Sequence, residues 1–460
     1  MAGPLNGCNG SAVRQAPDGL GAGRQRAGET VAPGKVWPIA AIALCGHVLS
    51  LTISVLVARR LEMEQFEAYA VSASAFLLMV SIAPLGLDKY SVRILPALVE
   101  RRDLSRAHGF FRFGFSTVLA SAIAIAVCVG IAVSFAARSD SSVTAALFAS
   151  CVALPAGALA HFGIEVTTAL GAERRATVVL RLLAPTIALA CFALMILLWG
   201  DVGGAAAIAA WGIAWTCAIA ILVVDVRKLT PAGLWTSVPL TEPRDWLSDA
   251  FPFLAYRGVL ALLSHSSILL LSVMASSPSA VGAYAVALAV TAPFVALITA
   301  TNRAYGRRLS ISLERRDYDA IFEVRKARLR WLLPAIAAML IVSLVFPHQL
   351  VGIFGLQRSD DAVASLRILA LAGAFTMTFS LAPTYLKFTR ARSFTLAAAT
   401  IAVAVQSLLL MALAPRWGAT GAATAHGFAM TGMYGAFALV AWRDLLLRRA
   451  MPGRDGRMNV

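Results

Sequence analysis

Four ionisable side chains stand in stretches that are otherwise apolar. They are His161 and Glu165 in Ala-His-Phe-Gly-Ile-Glu-Val, Arg257 in Phe-Leu-Ala-Tyr-Arg-Gly-Val-Leu, and Arg367 in Ser-Leu-Arg-Ile-Leu-Ala-Leu. A histidine and a glutamate four residues apart share a helical face, so His161 and Glu165 can hold a hydrogen bond or carry a proton between them. Glu165 has a second available reading: it lies near enough to the cytoplasmic end of its run to reach Arg174 or Arg175. An arginine is costly in hydrocarbon and is kept there by an acid, a cargo or a polar cavity, unless its head can reach the interface. Arg257 lies seven residues inside its apolar run, about 10 Å at 1.5 Å per residue, which is marginal for such a reach. Arg367 is only about four residues from the end of its run, where the reach is easy.

The remaining polar groups carry less chemistry. His47, His265, Gln406 and His426 fit interhelical hydrogen bonds, and Asp88 with Lys89 reads as an interface pair. Five of the six cysteines lie in apolar runs with no Cys-x-x-Cys pair, so neither a disulfide framework nor a metal site is expected, and no cofactor. No cluster of acids, histidines or cysteines has catalytic spacing and no outer loop exceeds about fifteen residues, so no bond-making activity is expected.

The elements that must position these groups follow from composition. Fifty-nine per cent of the 460 residues are hydrophobic, 14% are charged and the mean hydropathy is +0.76, far too apolar for a water-soluble domain. Runs long enough to cross a bilayer as helices fall near 36–58, 65–87, 113–135, 143–170, 177–199, 203–224, 250–274, 280–301, 331–354, 363–386, 394–414 and 419–442. They are continuous rather than alternating, which predicts an all-α membrane protein of twelve transmembrane helices and excludes a β-barrel. Trp37, Trp199, Trp246, Trp331, Trp417 and Trp442 fall at run ends, where an amphipathic ring straddles the interface. Pro84, Pro155, Pro185, Pro293 and Pro383 mark possible kinks.

Lysine and arginine divide unevenly between the two sides: 33 lie in or beside the N-terminus, the even-numbered loops and the C-terminus, and five in the odd-numbered loops. Both termini are therefore expected in the cytoplasm. The net charge of +16 expresses this bias and attraction to anionic membrane lipids, not nucleic-acid binding. Residues 1–35 read as a disordered cytoplasmic tail with no cleavable signal peptide, and 443–460 as a second tail.

Three echoes suggest internal duplication. Ala-Tyr-Ala-Val occurs at 68–71 and 283–286, and Glu-Arg-Arg-Asp at 100–103 and 314–317. Trp199, Gly200, Gly203 and Ala205 return as Trp417, Gly418, Gly421 and Ala423. All fall at equivalent topological places, so the chain reads as two parallel six-helix repeats, lobes 36–224 and 250–442, joined by a cytoplasmic linker at 225–249. Two lobes around a central cavity make a two-lobed transporter. Glu165 and Arg257 then belong to different lobes at similar depth, and are expected to face one another and exchange partners.

Further motifs carry a family resemblance. Ala58-Arg59-Arg60-Leu61 runs into Phe66-Glu67-Ala68-Tyr69-Ala70, and Gly86-Leu87-Asp88 closes the second helix. Val281-Gly282-Ala283-Tyr284-Ala285, Ile353-Phe354-Gly355 with Leu366-Arg367-Ile368-Leu369, and Trp417-Gly418-Ala419-Thr420-Gly421-Ala422-Ala423 complete the set. Over roughly 36–445 the chain resembles the oligosaccharide flippases, or polysaccharide transporters, of the multidrug/oligosaccharidyl-lipid/polysaccharide exporter superfamily. The resemblance implies a bacterial inner-membrane protein that moves a lipid-linked oligosaccharide, typically on undecaprenyl pyrophosphate, to the outer leaflet. Its implied partners are that substrate, membrane lipids, and the glycan polymerase and glycosyltransferases of the same pathway. Arg257 would then meet the diphosphate. The competing reading is an ion-coupled exporter of small amphipathic compounds, which shares the architecture.

Reporter fusions after residue 201 are expected to score on the outer side and fusions at the C-terminus on the cytoplasmic side; a cytoplasmic signal at 201 would overturn the topology.

Overall fold

The computed structural model describes residues 37–136, 142–274, 278–355, 359–389 and 392–450. The tail at 1–35, and Arg138 and Arg358 from the charge count, lie outside them. Helices occur in the order α1 (Trp37–Arg60), α2 (Met63–Ile82), α3 (Leu87–Glu100), α4 (Leu104–Ala136), α5 (Ser142–Ala169), α6 (Glu173–Trp199) and α7 (Gly204–Leu229). After a connection come α8 (Pro243–Met274), α9 (Pro278–Glu314), α10 (Tyr318–Val345), α11 (Pro347–Gly352), α12 (Asp360–Phe379), α13 (Ala382–Phe388) and α14 (Arg392–Ala450). Among the described residues, ten helical segments are long and apolar enough to cross a membrane. The longest, α14, is broken at Gly418, whose φ of 48° and ψ of −123° no helix allows.

Several helices outrun the expected apolar runs. After the turn that ends α2 at Ile82, α3 carries on as a separate helix to Glu100, past the expected end at 87, and α10 begins at Tyr318 rather than near 331. These additions are polar at their ends, so hydropathy stops short of them while backbone hydrogen bonding does not. Arg181, grouped above with the loop cations, sits inside α6 in a π-helical turn spanning Val179–Leu183.

The helix ends are written in local chemistry. Asp317 and Ser359 cap α10 and α12, their side chains accepting from the amides of Ala320 at 2.9 Å and Ala362 at 3.3 Å. The two Glu-Arg-Arg-Asp segments form the same turn. Arg102 and Arg316 are left-handed, with φ of 57° and 55°. Asp103 and Asp317 each donate to the carbonyl five residues back, Leu98 at 3.0 Å and Ser312 at 2.9 Å. With Arg102 N donating to Val99 O and Arg316 N to Leu313 O, both at 3.1 Å, each stop satisfies carbonyls that a helix end leaves orphaned.

Packing divides into three main cores. One joins α2–α7 to the start of α8 through residues such as Phe110, Phe162, Leu222, Leu234 and Trp246. A second lies among α8–α10, α13 and α14, around Leu263, Tyr385 and Phe437. The third spans both halves at the opposite end from the arginine-rich turns, joining Val57, Phe66 and Val71 to Val281, Tyr284, Phe354 and Leu366. There Arg59 Nε donates to the Ile353 carbonyl at 2.6 Å. The halves are thus sealed together at one end by apolar contact and hold separate cores at the cation-rich end.

Helix α8 belongs to both. Its first turns pack on the first half, Trp246 lying 5.3 Å from Phe110 and 5.6 Å from Phe113 between ring centroids. Its later turns bind the second half: Gln406 Nε2 donates to Leu263 O and Ser266 Oγ, both at 3.0 Å, and its Oε1 meets His426 Nδ1 at 2.9 Å. The connection before α8 is itself fastened to α4. Leu240 N donates to Ser105 O at 3.0 Å, and Arg106 clasps Glu242 at 2.5 to 3.0 Å.

Between α2 and α3 the chain turns through left-handed Leu85 and Gly86, φ 52° and 79°. A Cβ on Gly86 would strike the Ala250 carbonyl and the Leu254 amide, main-chain atoms of α8 that have no free rotation. Gly86→Ala is expected to destabilise the fold by about 1–3 kcal/mol. Gly171→Ala, also at positive φ but with nothing within 4 Å, should cost less. Thermal unfolding in detergent compares the two, and equal losses would remove the packing explanation.

Candidate functional site

The Gly86 turn sets the direction in which α3 starts, and its second residue, Asp88, is thereby carried into the protein. The Asp88 side chain is 1% exposed and accepts from Arg257 Nη1 of α8. Its other oxygen, Oδ1, has no hydrogen-bond partner. Next to it, Lys89 Nζ donates to Glu165 Oε1 of α5 at 2.6 Å. Two ion pairs therefore sit side by side. One buries its acid, with Arg257 24% exposed, and reaches from the first half to α8; the other, with side chains 42% and 23% exposed, faces accessible space.

A third cation joins them. Lys387, in the last turn of α13, lies with Nζ 4.5 Å from the ring centroid of Tyr256, the residue preceding Arg257. It is exposed, it stands within electrostatic reach of Lys89, and no acid pairs with it among the described residues. A cation over a tyrosine face is held by the ring quadrupole without being neutralised. The group thus brings Lys89, Arg257 and Lys387 against Asp88 and Glu165: three positive side chains, two negative, drawn from α3, α5, α8 and α13.

Arg257 and Glu165 do belong to one charged group, but they do not pair as expected. Asp88 takes Arg257, and Lys89 takes Glu165. The sequence reading of Asp88 with Lys89 as an interface pair is also corrected, because successive residues on a helix point about 100° apart and each finds its own partner. His161 does not bond Glu165 either. Its Nδ1 meets the Gly157 carbonyl at 2.8 Å and its ring lies 4.7 Å from Trp215, within electrostatic range of Arg257, Glu165 and Lys89. Arg367 stays apart from this group. It is exposed on α12, about 30 Å from Lys387 along the span at 1.5 Å per residue.

Two residues escaped sequence reasoning because both were counted as loop cations. Lys387 lies just past an apolar run, and only the short helix α13 turns it inward. Arg328 is 1% exposed in α10, where Nη2 donates to Ser380 Oγ at 2.6 Å and Thr301 Oγ1 at 3.0 Å. Its one readable signal was its place eleven residues beyond Asp317, well inside a capped helix.

Removing one partner of a buried ion pair strands the other, whereas removing both does not. Asp88→Asn and Arg257→Gln are each expected to lower stability by about 3–5 kcal/mol. The double variant should recover about 0.5–3 kcal/mol relative to the sum of the two. Unfolding of all four proteins in one detergent measures the coupling, and strict additivity would show that the pair contributes nothing.

Comparison with known proteins places this geometry. No protein of curated function matches the sequence. The fold is similar to an inward-facing multidrug resistance MATE family transporter of the MOP superfamily, at 13% identity and a TM-score of 0.72, covering 90% of this chain and 99% of that one. An outward-facing MATE transporter gives 12% identity and a TM-score of 0.60, covering 90% and 96%. A MOP superfamily transporter from Pyrococcus furiosus, described as having a binding pocket of reversed polarity, gives 12% and 0.62, also covering 90% and 96%. At these identities the likeness is one of fold. The family model for polysaccharide biosynthesis protein matches residues 35–304, more than half of the chain. With that match over more than half of its length, the chain belongs to the polysaccharide biosynthesis protein family.

Proposed function

We propose that this membrane transporter is a flippase that moves a lipid-linked oligosaccharide on a polyprenyl diphosphate carrier from the inner to the outer leaflet of a bacterial plasma membrane. The observation that carries the reading is the surplus of positive charge at Lys89, Arg257 and Lys387, contributed from both halves of the chain. A diphosphate needs paired, partly desolvated cations, and arginine offers it a bidentate fork. Family membership in polysaccharide biosynthesis supports a glycan cargo.

In this reading the ten long segments become twelve spans, by adding α1 and dividing α14 at Gly418. Two six-helix repeats, 36–224 and 250–442, form the lobes, with both termini in the cytoplasm. The matching turns at Arg102 and Arg316 support the duplication, since both place an arginine in the same strained conformation. The apolar seal at the far end and the separate cores at the cation-rich end suit a state open to the cytoplasm. Without cargo Asp88 holds Arg257; when the diphosphate enters, Arg257 and Lys387 turn to it, and the acids re-form their pairs once it leaves. The protein makes no bonds itself, and the polymerase and glycosyltransferases of the pathway act before and after it.

Export of small amphipathic compounds is the second reading, and its support is the fold shared with multidrug transporters. A surplus of cations at the site disfavours cationic drugs by like-charge repulsion. Transport of a lipid diphosphate-linked sugar into proteoliposomes, beside fluorescent cations, separates the two. Arg257→Ala is expected to abolish sugar transport and Arg257→Lys to retain part. Lys387→Ala, with no ion pair to break, should raise the apparent KM at least about tenfold, the value of one charge-assisted hydrogen bond. Transport of the cations alone, or unchanged sugar transport by Arg257→Ala and Lys387→Ala, would overturn the proposal.

A further inference from the structure

On α13, two residues before Lys387, Tyr385 faces the other way, into a crevice of about 430 Å³ between α10, α12, α13 and the last part of α14. Phe375, Phe379, Leu439 and Leu445 make its wall apolar. Leu439 is 73% exposed, so the mouth opens sideways, toward lipid. Two arginines line this space, with Thr378 and with Tyr385, whose hydroxyl donates to Asp444 Oδ2 at 2.7 Å; that carboxylate is itself paired with Arg448. Arg325 stands 4.6 Å over the ring of Trp442, and Arg328 lies one turn further along the same face of α10. Neither pairs with an acid among the described residues. Arg328 gives hydrogen bonds to Ser380 and Thr301 from Nη2, but its Nε is buried with no partner. A buried guanidinium that meets only neutral acceptors retains its charge for an anion.

The first half shows what normally covers this face. Phe111 and Arg325 both stand eight residues beyond the aspartate of their Glu-Arg-Arg-Asp turn. Phe111 is covered by protein: Trp235 packs 5.4 Å from its ring, and Leu240 abuts Gly109. In the second half the aromatic ring is replaced by a cation; Trp442 of α14 stands where Trp235 does, and beside it the crevice is left open. The sequence beyond α14, Met-Pro-Gly-Arg-Asp-Gly-Arg-Met-Asn-Val, is too polar for the wall and of the wrong charge for the arginines. An amphiphile with one anionic group fits both.

The structure assigns this crevice to an anionic phospholipid of the leaflet on the cation-rich side, its phosphate on Arg325 and Arg328 and one acyl chain along the apolar wall. Arg325 and Arg328 lie about 9 and 5 Å short of the apolar run that begins near 331, at the level where a headgroup phosphate meets the acyl boundary. Such a lipid braces α13 from behind, and α13 is the element that holds Lys387 over the central site. The transported cargo is a separate ligand, bound on the opposite face.

Native mass spectrometry of the purified full chain reads the site directly, with phosphatidylglycerol, phosphatidylethanolamine of the same acyl chains, and inorganic phosphate as probes. Phosphatidylglycerol is expected to be retained at one molecule per chain and at least tenfold more than phosphatidylethanolamine. Arg325→Ala should erase the preference between the two lipids. Gly435→Leu should expel both, because it fills the crevice from a position where a Cβ meets nothing closer than 3.8 Å. That variant should fold normally, so lost retention at an unchanged Tm identifies the crevice. Equal retention of the two lipids, displacement of phosphatidylglycerol by inorganic phosphate, or undiminished binding in Gly435→Leu would overturn the assignment.

Discussion

Everything in the membrane-embedded part of this protein must answer to the cost of an unpaired charge in hydrocarbon. The contact between Asp88 and Arg257 is where that constraint is met most tightly, and the architecture around it follows. Asp88 reaches Arg257 only because the left-handed turn at Leu85 and Gly86 starts a new helix in a new direction. The turn is close enough to α8 only because Gly86 lacks a side chain. Helix α8 in turn carries Arg257 at the point where its allegiance passes from one half to the other, between Trp246 and Leu263. A single ion pair thus ties a turn, a glycine and a shared helix into one arrangement.

Much of this was legible beforehand. Apolar runs marked the ten long apolar helices, since a continuous apolar run in lipid must satisfy its backbone within itself as a helix. Arg257 and Glu165 declared themselves because each interrupts an apolar run. Pairing was not legible, and for a physical reason: which acid meets which base depends on the direction in which the left-handed turn at Leu85 and Gly86 sends α3, and φ at Leu85 is not written in hydropathy. His161 was misread similarly, since its shared face with Glu165 permits a bond that the nearer Gly157 carbonyl pre-empts. Arg328 and Lys387 were invisible because arginines and lysines near a run end look identical whether they leave for water or turn back into the protein.

The two arginine sites solve the same problem differently. Arg257 has a carboxylate, and such a pair can open only when something else offers negative charge. Arg328 has hydroxyls and a carbonyl, which stabilise the guanidinium by dipoles and leave its charge uncompensated. Placing one on each side of α13 gives that short helix two anion-seeking neighbours, one toward the centre and one toward lipid.

The seal that joins Val57, Phe66 and Val71 to Val281, Tyr284 and Leu366 contains no ion pair among the described residues, so its strength has the thermal character of apolar contact. Opening it exposes hydrocarbon surface to water and therefore raises the heat capacity. The free-energy difference between sealed and unsealed forms is then a curve in temperature rather than a line, and the seal loosens on cooling as well as on strong heating. Any step that opened this seal would give a bent Arrhenius plot for that reason alone, with no change of mechanism behind the bend.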